Sequence, residues 1–236
     1  MTGISVAPAS TKAKRAAHKF PSPICVSLGA EPLEKIKHRL AHLAFAEIRM
    51  DRLGATPETA REIFGRHPNL IATYRQCDSD DGVRERSLLA AIASGAKLVD
   101  VDIREPPRLR DAIVKATKER NAFLILSYHE FARMPEESFL SDLAEECFSA
   151  GADYVKLACM VRTGRDLARL VGLLDDDRPI IPVGMGTLGL QARVAALLAG
   201  AAFTYAAPEP DYETAEGQPD LAALSHALEA VRLEWR

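Results

Sequence analysis

The segment Gly151-Ala-Asp-Tyr-Val-Lys-Leu-Ala158 combines the pattern of a short apolar strand with a single lysine. Side chains alternate along a strand, so Lys156 shares one face with Tyr154 and Ala158, and its sequence neighbours face the other way. Lysine is almost never fully buried without a partner. Two interpretations of Lys156 follow. It is either an edge-strand lysine that reaches solvent or a desolvated amine that can attack a carbonyl as a nucleophile.

Strand and helix patterns alternate on both sides of this segment, in eight units from residue 23 onward. Such alternation favours a parallel sheet with helical crossovers, and eight units in 236 residues predict a (β/α)8 TIM barrel. An open doubly wound sheet is the alternative, but its glycine fingerprint after the first strand is missing. The predicted strands are Ile24–Leu28, Phe45–Arg49, Leu70–Tyr74, Leu98–Asp102, Ala122–Tyr128, Asp153–Ala158, Pro179–Val183 and Ala202–Tyr205.

The composition of the first 22 residues differs from that of the predicted barrel, and the composition of the whole chain argues against nucleic-acid-binding and membrane-spanning proteins. Residues 1–22 are predicted to be a flexible tail, and residues 23–236 a single catalytic domain. The net charge of −3 argues against nucleic acid as the main partner, and no apolar run approaches a membrane span. The four cysteines have neither metal-like nor disulfide-like spacing, which suits the reducing cytoplasm.

Polar and ionisable residues recur where the predicted strands end, which is where barrel enzymes place their sites. A single charged residue in a barrel interior is often only structural, but this set spans strands two to seven. A glycine-rich turn into a helix, Met185–Gly189, follows strand seven and is typical of an anion site. Glu47 and Arg49 share a face, so we expect them to pair inside the barrel mouth. The strand-end residues are Glu47, Arg49, Asp51, Arg75, Asp100, Asp102, His129 and Lys156, and Arg193 lies one turn into the helix after strand seven.

The chemistry of this set is coherent. We expect a lysine amine close to arginines, held partly neutral by desolvation and like charge. A histidine on the adjacent strand can transfer protons near neutral pH. Arginines and a helix N-terminus suit a carboxylate and hydroxyls. These features predict Schiff-base chemistry on a small anionic ketone.

With these motifs the chain resembles the type I 3-dehydroquinate dehydratases, the Schiff-base class of 3-dehydroquinase. The resemblance runs from about Ile24 to the last helix, and the motifs occur in the family's order. They are Glu47-Ile-Arg49-Met-Asp51, Thr73-Tyr-Arg75, Val99-Asp-Val-Asp102, Ser127-Tyr-His129-Glu-Phe131, Ala152-Asp-Tyr-Val-Lys156, Met185-Gly-Thr-Leu-Gly189 with Arg193, and Ala215-Glu-Gly217-Gln218.

The resemblance implies a role for each matching residue. Lys156 is expected to form the imine with 3-dehydroquinate, His129 to act as general base and acid, and Arg193 to bind the substrate carboxylate. Glu47, Arg49 and Arg75 are expected to bind the ring hydroxyls and to shape the environment of the lysine. Thr214 and Gln218 are expected to lie on the loop after strand eight that closes over the substrate. The implied reaction is a syn dehydration to 3-dehydroshikimate in the shikimate or quinate pathway, without metal or cofactor. A cytoplasmic location and a homodimer are also implied.

Two departures from the family pattern carry their own expectations. The family usually has a glutamate four residues after the arginine of strand three, paired with the histidine, and here that position is Ser79. Asp80 and Asp81 are the candidate replacements as histidine partner. The closing loop, commonly Ser-Ala-Pro-Gly-Gln, reads Thr214-Ala-Glu-Gly-Gln218, so Glu216 adds negative charge near an anionic substrate. Lower affinity, slower turnover and a modified substrate are the alternatives.

Two other functional classes stay open from the residues. Another class I lyase, such as an aldolase, would use the same lysine for carbon–carbon cleavage. A barrel that binds a shikimate-type ligand without catalysis would explain the change at Ser79.

Overall fold

Strands and helices alternate along the computed structural model of the chain, which describes residues 19–77, 80–175 and 178–234. The strands are β1 (Ile24–Leu28), β2 (Ala46–Arg49), β3 (Leu70–Thr73), β4 (Leu98–Asp102), β5 (Phe123–Glu130), β6 (Tyr154–Met160), β7 (Ile180–Met185) and β8 (Thr204–Ala206). The helices are α1 (Leu33–Leu40), α2 (Pro57–Phe64), α3 (Asp81–Ala93), α4 (Pro107–Arg120), α5 (Glu137–Ser149), α6 (Gly164–Gly172), α7 (Gly189–Leu198) and α8 (Leu221–Glu234), and a 3₁₀ turn, Leu173–Asp175, follows α6.

The eight strands form one parallel sheet in the order β7-β6-β5-β4-β3-β2-β1-β8. The first strand pairs with the last, with Ile24 opposite Thr204 and Val26 opposite Ala206. This return curls the sheet into a nearly closed (β/α)8 barrel and confirms the predicted fold class. In the described residues β7 and β8 are the two ends of the hydrogen-bonded ladder.

The alternation of strand side chains divides the core into two layers. Val155, Leu157 and Cys159 pack between β6 and the surrounding helices. Tyr154, Ala158 and the other residues of the opposite parity fill the barrel interior. The interior layer is thus closed below Lys156, whose side chain extends towards the carboxyl ends of the strands.

The strand that carries Lys156, β6, and its neighbour β5 are both longer than predicted. β5 continues to Glu130 and β6 to Met160, and the two pair up to Glu130 opposite Cys159. His129 therefore lies within a strand and not in the loop after it. This position fixes its backbone more firmly than a loop would.

The amino-terminal end of the barrel is filled by aromatic side chains. Phe20 stacks on Phe45 with ring centroids 5.1 Å apart and meets Phe203 edge-on at 4.8 Å. Residues 1–18 of the predicted tail lie outside the described residues. Phe20 itself belongs to the barrel, because its ring packs in the interior cluster.

Local signals in the sequence account for helix boundaries. Thr56 is the N-cap of α2 and accepts a hydrogen bond from the backbone N–H of Thr59 at 3.3 Å, with Pro57 at the first helical position. No helix in the described ranges has the length and apolar character needed to cross a bilayer.

Candidate active site

A cavity of about 680 Å³ opens at the carboxyl ends of the strands. Eight of the predicted site residues line it together: Glu47, Arg49, Arg75, His129, Lys156, Arg193, Thr214 and Gln218. The sequence separations among them reach 171 residues, from 47 to 218, so the barrel brings them to one place. Seven further polar residues line the same cavity: Asp51, Arg52, Gln76, Asp102, Arg104, Glu105 and Tyr205.

Lys156 is buried on the cavity side of β6, with only 6 % of its surface exposed. Its Nζ donates a hydrogen bond to Oδ2 of Asp100 at 2.7 Å and lies 3.8 Å from Oε1 of Glu47. The amine also lies 4.3 Å above the ring of Tyr205. We expected arginines close to the amine, and Arg75 shares the Oδ2 atom of Asp100 with it, but no arginine contacts the amine directly among the described residues. The nearest charges are carboxylates, because β4 and β2 direct Asp100 and Glu47 into the barrel.

Asp100 is the centre of the charge network, although we had assigned it no role. Its carboxylate accepts from Lys156, from Arg75 at 3.0 Å and from the hydroxyl of Ser127 at 2.6 Å. Burial alone would raise the pKa of Asp100, but Arg75 and Lys156 outweigh burial and hold that pKa well below its usual range. Asp100 is therefore an anion that compensates the charge on the amine.

His129 lies between a carboxylate and a guanidinium. Its Nδ1 is 3.3 Å from Oδ2 of Asp102, and its Nε2 is 3.2 Å from Nη2 of Arg75. Burial, followed by the positive charge of Arg75, lowers the pKa of His129 to about 3, against the opposing effect of Asp102. The imidazole is neutral near pH 7 and can accept a proton.

The predicted histidine partners Asp80 and Asp81 lie elsewhere. Asp80 caps α3 by accepting from the backbone N–H of Val83 at 3.1 Å, and Asp81 accepts from Arg84 at 2.8 Å. The prediction is wrong because β4 adjoins β5 and supplies a nearer carboxylate, Asp102. Ser79, which occupies the position of the family's glutamate, lies with residue 78 outside the described residues.

Arg193 projects from α7 and is 1 % exposed. Its Nη1 donates to the carbonyl of Tyr205 at 2.7 Å. Its Nε and Nη2 have no hydrogen-bond partner in the described part of the chain. Burial lowers the pKa of Arg193 to about 10, so the guanidinium stays protonated at neutral pH. A buried cation with two unused donors suits an anionic ligand group.

The expected Glu47–Arg49 pair does not form. Arg49 instead makes a bidentate pair with Asp51, with distances of 3.0 and 2.7 Å. Glu47 accepts from the hydroxyls of Ser27 and Thr73. Glu47, Asp51 and Arg49 all line the cavity, and Arg49 pairs with the carboxylate of Asp51.

The loop after β8 is fastened to the barrel mouth through Thr214. The Thr214 hydroxyl lies 2.9 Å from that of Ser27, which also contacts Glu47. The carbonyl of Thr214 accepts from Arg49 at 3.3 Å and from Arg52 at 3.0 Å. Gln218 turns back and accepts from the backbone N–H of Thr214 at 2.7 Å. The two predicted loop residues therefore contact each other and the cavity wall.

The same loop rests on the glycine turn after β7. Gly217 has φ +68°, and a Cβ there would come within 2.3 Å of the carbonyl oxygen of Gly186. The backbone N–H of Gly186 donates to the carbonyl of Glu216 at 3.2 Å. A Cβ on Gly189 would likewise meet the Gly217 oxygen at 2.4 Å. The two backbones touch, and side chains are excluded between them.

Tyr205 and Ser27 are site residues that the sequence did not reveal. Ser27 is the one hydroxyl in the apolar strand β1, and Tyr205 follows Thr204 in the short strand β8. The Tyr205 hydroxyl is buried without a partner among the described residues. Burial raises the pKa of this hydroxyl well above its usual value, so it remains a hydrogen-bond donor.

The fold and the cavity define a (β/α)8-barrel enzyme with an ionisable site at the carboxyl ends of its strands. The profile of the type I 3-dehydroquinase family matches residues 24–234. The chain belongs to this family, and the predictions of the family and of an enzyme are confirmed.

Individual relatives agree with this assignment. A 3-dehydroquinate dehydratase of Methanococcoides burtonii is 32 % identical over 222 residues, which cover 88 % of this chain and 94 % of the relative. A 3-dehydroquinate dehydratase of Methanosarcina barkeri is 31 % identical over 78 % of this chain and 84 % of the relative. Among solved structures, the type I enzyme of Clostridium difficile with covalently modified comenic acid superimposes with a TM-score of 0.79 at 20 % identity, covering 92 % of this chain and 95 % of the other. The latter likeness supports the fold.

Proposed function

We propose that this chain dehydrates 3-dehydroquinate to 3-dehydroshikimate through an imine on Lys156. The observation that carries the proposal is one buried lysine in a cavity that also holds a neutral histidine and an arginine with unused donors. Relatives that bear the same enzyme name, two of them above 30 % identity, support the choice of substrate.

The first step forms the covalent bond. The amine of Lys156 first passes its proton to His129 and then attacks the C3 carbonyl. The carbinolamine hydroxyl takes that proton back from the imidazolium and leaves as water, which gives the protonated imine. The protonated imine carries a positive charge in a buried site. Asp100 and Glu47, which lie 2.7 and 3.8 Å from Nζ, would stabilise that charge. The iminium then acts as the electron sink for the next step.

His129 would then remove a proton from C2, and the electron pair would move into the imine to give an enamine. Return of these electrons expels the C1 hydroxyl, which leaves as water after taking a proton from the imidazolium. Hydrolysis of the imine releases the product and restores the amine. The net change is loss of one water from the substrate, so no electron acceptor is consumed.

The charged residues around the cavity would orient the substrate. Nε and Nη2 of Arg193 are the free donors for the carboxylate. Arg75 contacts Asp100, Ser127 and His129, so its main effect would be to position the site. For Glu47 and Arg49, binding of the ring hydroxyls stays a prediction, because both side chains are also engaged by protein groups.

Trapping the imine tests the proposal. Incubation with 3-dehydroquinate and borohydride should add one reduced substrate or product to the chain by intact mass, and peptide analysis should place the adduct on Lys156. Lys156→Ala should give no adduct and background turnover, while its thermal melt shows a folded protein. Lys115→Ala removes an exposed lysine and is the matched control that should still be trapped.

The result also separates this function from its alternatives. Trapping of another ketone with no adduct from 3-dehydroquinate would indicate a different lyase. Ligand-dependent thermal stabilisation without the rise in enone absorbance would indicate a binding barrel. Either outcome would contradict the proposal.

A further inference from the structure

Asp102 is held from two sides before it contacts the histidine. Its Oδ1 accepts from the backbone N–H of Arg104 at 3.0 Å and from Nε of the same residue at 2.9 Å. Its Oδ2 accepts from Nη2 of Arg104 at 3.0 Å and faces Nδ1 of His129 at 3.3 Å. Arg104 in turn stacks 5.0 Å above the Tyr128 ring. The carboxylate therefore has one fixed orientation, with Oδ2 directed at the histidine.

The groups on the two sides of His129 determine where its proton resides. Arg75 has no acceptor atom, so its Nη2 can only donate to Nε2. The carboxylate of Asp102 can only accept, so Nδ1 must be the atom that carries hydrogen. Both contacts select the same neutral tautomer, with the proton on Nδ1 and the lone pair on Nε2.

We propose that Asp102 is the positioning residue of the site, which fixes the tautomer and ring orientation of His129 so that Nε2 is the proton-accepting atom of the ring. Arg104 supports Asp102 in this role. The inference rests on the proposed dehydration, in which His129 is the base, and it adds the residue that prepares that base. It also explains how His129 can be oriented although Asp80 and Asp81, at the start of α3, do not contact it.

The position of Nε2 agrees with this role. The guanidinium that contacts Nε2 also contacts Asp100, whose other partner is the amine of Lys156. Nε2 therefore lies beside the charged groups around Lys156, and its lone pair, which accepts from Arg75 without substrate, becomes the base once substrate displaces that contact. The charged groups that face the ring are Asp102 and Asp100 from β4, Arg75 after β3 and Lys156 from β6. When His129 takes a proton, the nearest group that can stabilise the imidazolium is Asp102.

Asp102→Asn separates this role from simple packing. Asparagine has one oxygen for the two sides of this carboxylate. The backbone N–H of Arg104 on the Oδ1 side cannot turn away, whereas the half-exposed Arg104 side chain can release Oδ2, so the oxygen stays on the Oδ1 side and the amide NH₂ faces Nδ1. Nδ1 must then accept, so the proton moves to Nε2, where it meets the Arg75 donor. We expect kcat to fall by about 10²–10⁴-fold with a much smaller change in KM. Asp102→Glu keeps the carboxylate and should recover a substantial part of kcat.

Nitrogen NMR of the imidazole rings gives a readout that does not depend on turnover. His129→Gln assigns the signals among the six histidines. The wild-type enzyme should show a protonated Nδ1 and an unprotonated Nε2, Asp102→Glu the same, and Asp102→Asn the reverse. Asp111→Asn, a carboxylate on α4 away from the ring, is the matched control and should leave the His129 signals unchanged.

Each outcome decides the inference. An unchanged tautomer in Asp102→Asn, or kcat within threefold of wild type, would overturn it. If the wild type shows the expected tautomer but forms no adduct with 3-dehydroquinate, the proposed function fails and the positioning assignment stands. A wild-type proton on Nε2 would remove the assignment even if the dehydration is confirmed.

Discussion

Lys156 and Asp100 form a buried ion pair, and we do not expect this pair to add much to the stability of the fold. Taking two charges out of water costs several kcal/mol per ion, and the attraction between them often does no more than repay that cost. The neighbouring charges of Arg75, Asp102 and Glu47 lie in the same cavity. Such a cluster is expected where charge must be stabilised during a reaction, because its dipoles and charges are already oriented before substrate arrives.

The neutral state of His129 makes stability depend on pH. Its pKa is about 3 in the folded chain, against an ordinary value of 6.5 in the unfolded chain. Between these values the unfolded chain binds the extra proton, so stability is fully present above pH 6.5 and is lost as pH falls towards 3. One such proton changes the free energy of unfolding by about 1.4 kcal/mol per pH unit in the middle of this range.

Denaturant unfolding of wild type and His129→Gln between pH 7 and 5 isolates this effect. Aspartates titrate below that range when unfolded, so Asp100 and Asp102 contribute little to it. The wild type should lose about 2 kcal/mol more than the variant over the interval. Equal slopes for the two proteins would show that His129 is not held neutral by the fold.

At the scale of strands and loops, alternation along each strand predicted which side chains face the cavity. The parity of β6 placed Lys156 on the inner face, and the eight units placed that face inside a barrel. The pairing of charges could not be predicted in the same way. Whether Arg49 contacts Glu47 or Asp51 depends on side-chain reach, and the choice of Asp102 over Asp80 depends on which strands are neighbours. Ser27 and Tyr205 gave no signal, because hydroxyl side chains are common in core strands.

The contact between the loop after β8 and the turn after β7 should control substrate affinity. In Gly217→Ala the new methyl group would lie within 3 Å of three backbone atoms of Gly186, so the loop must move away. Thr214 and Gln218 would be displaced with it. We expect KM to rise about tenfold or more, because the loop no longer closes over the cavity, while the barrel stays folded.

Gly200→Ala is the control for the loss of a left-handed glycine. Gly200 has φ +103°, has open space around its Cβ position and lies after α7, away from the cavity. It should cost about 1 kcal/mol in stability and leave KM unchanged. Steady-state kinetics and thermal melts of both variants distinguish backbone strain from the loop contact. If Gly217→Ala keeps the wild-type KM, the loop contact has no part in binding.

Across the whole molecule, the two ends of the barrel have different tasks. The carboxyl ends hold charged groups around a cavity, and the amino ends are filled by Phe20, Phe45, Tyr154 and Phe203. β7 and β8 are the ends of the hydrogen-bonded ladder, so the barrel depends on packing to hold its seam. Phe203 precedes β8 and packs against Phe20, which links the seam to the start of the described chain.

This division predicts that stability and activity can be changed separately. Phe20→Ala in the full chain removes a ring that contacts Phe45, Tyr154 and Phe203. Phe20 is only partly buried, so we expect a loss of about 2 kcal/mol, below the range for a fully buried phenylalanine, and a melting temperature lower by about 4–8 °C. At temperatures where the variant is folded, kcat and KM should match wild type, since the cavity lies at the other end.

Phe139→Ala is the control, because it truncates an exposed ring on α5, and it should cost about 1 kcal/mol or less. A Phe20 variant that melts like wild type would place this residue in the predicted tail after all, and a Phe20 variant that loses activity while folded would mean that the amino end of the barrel controls the geometry of the site.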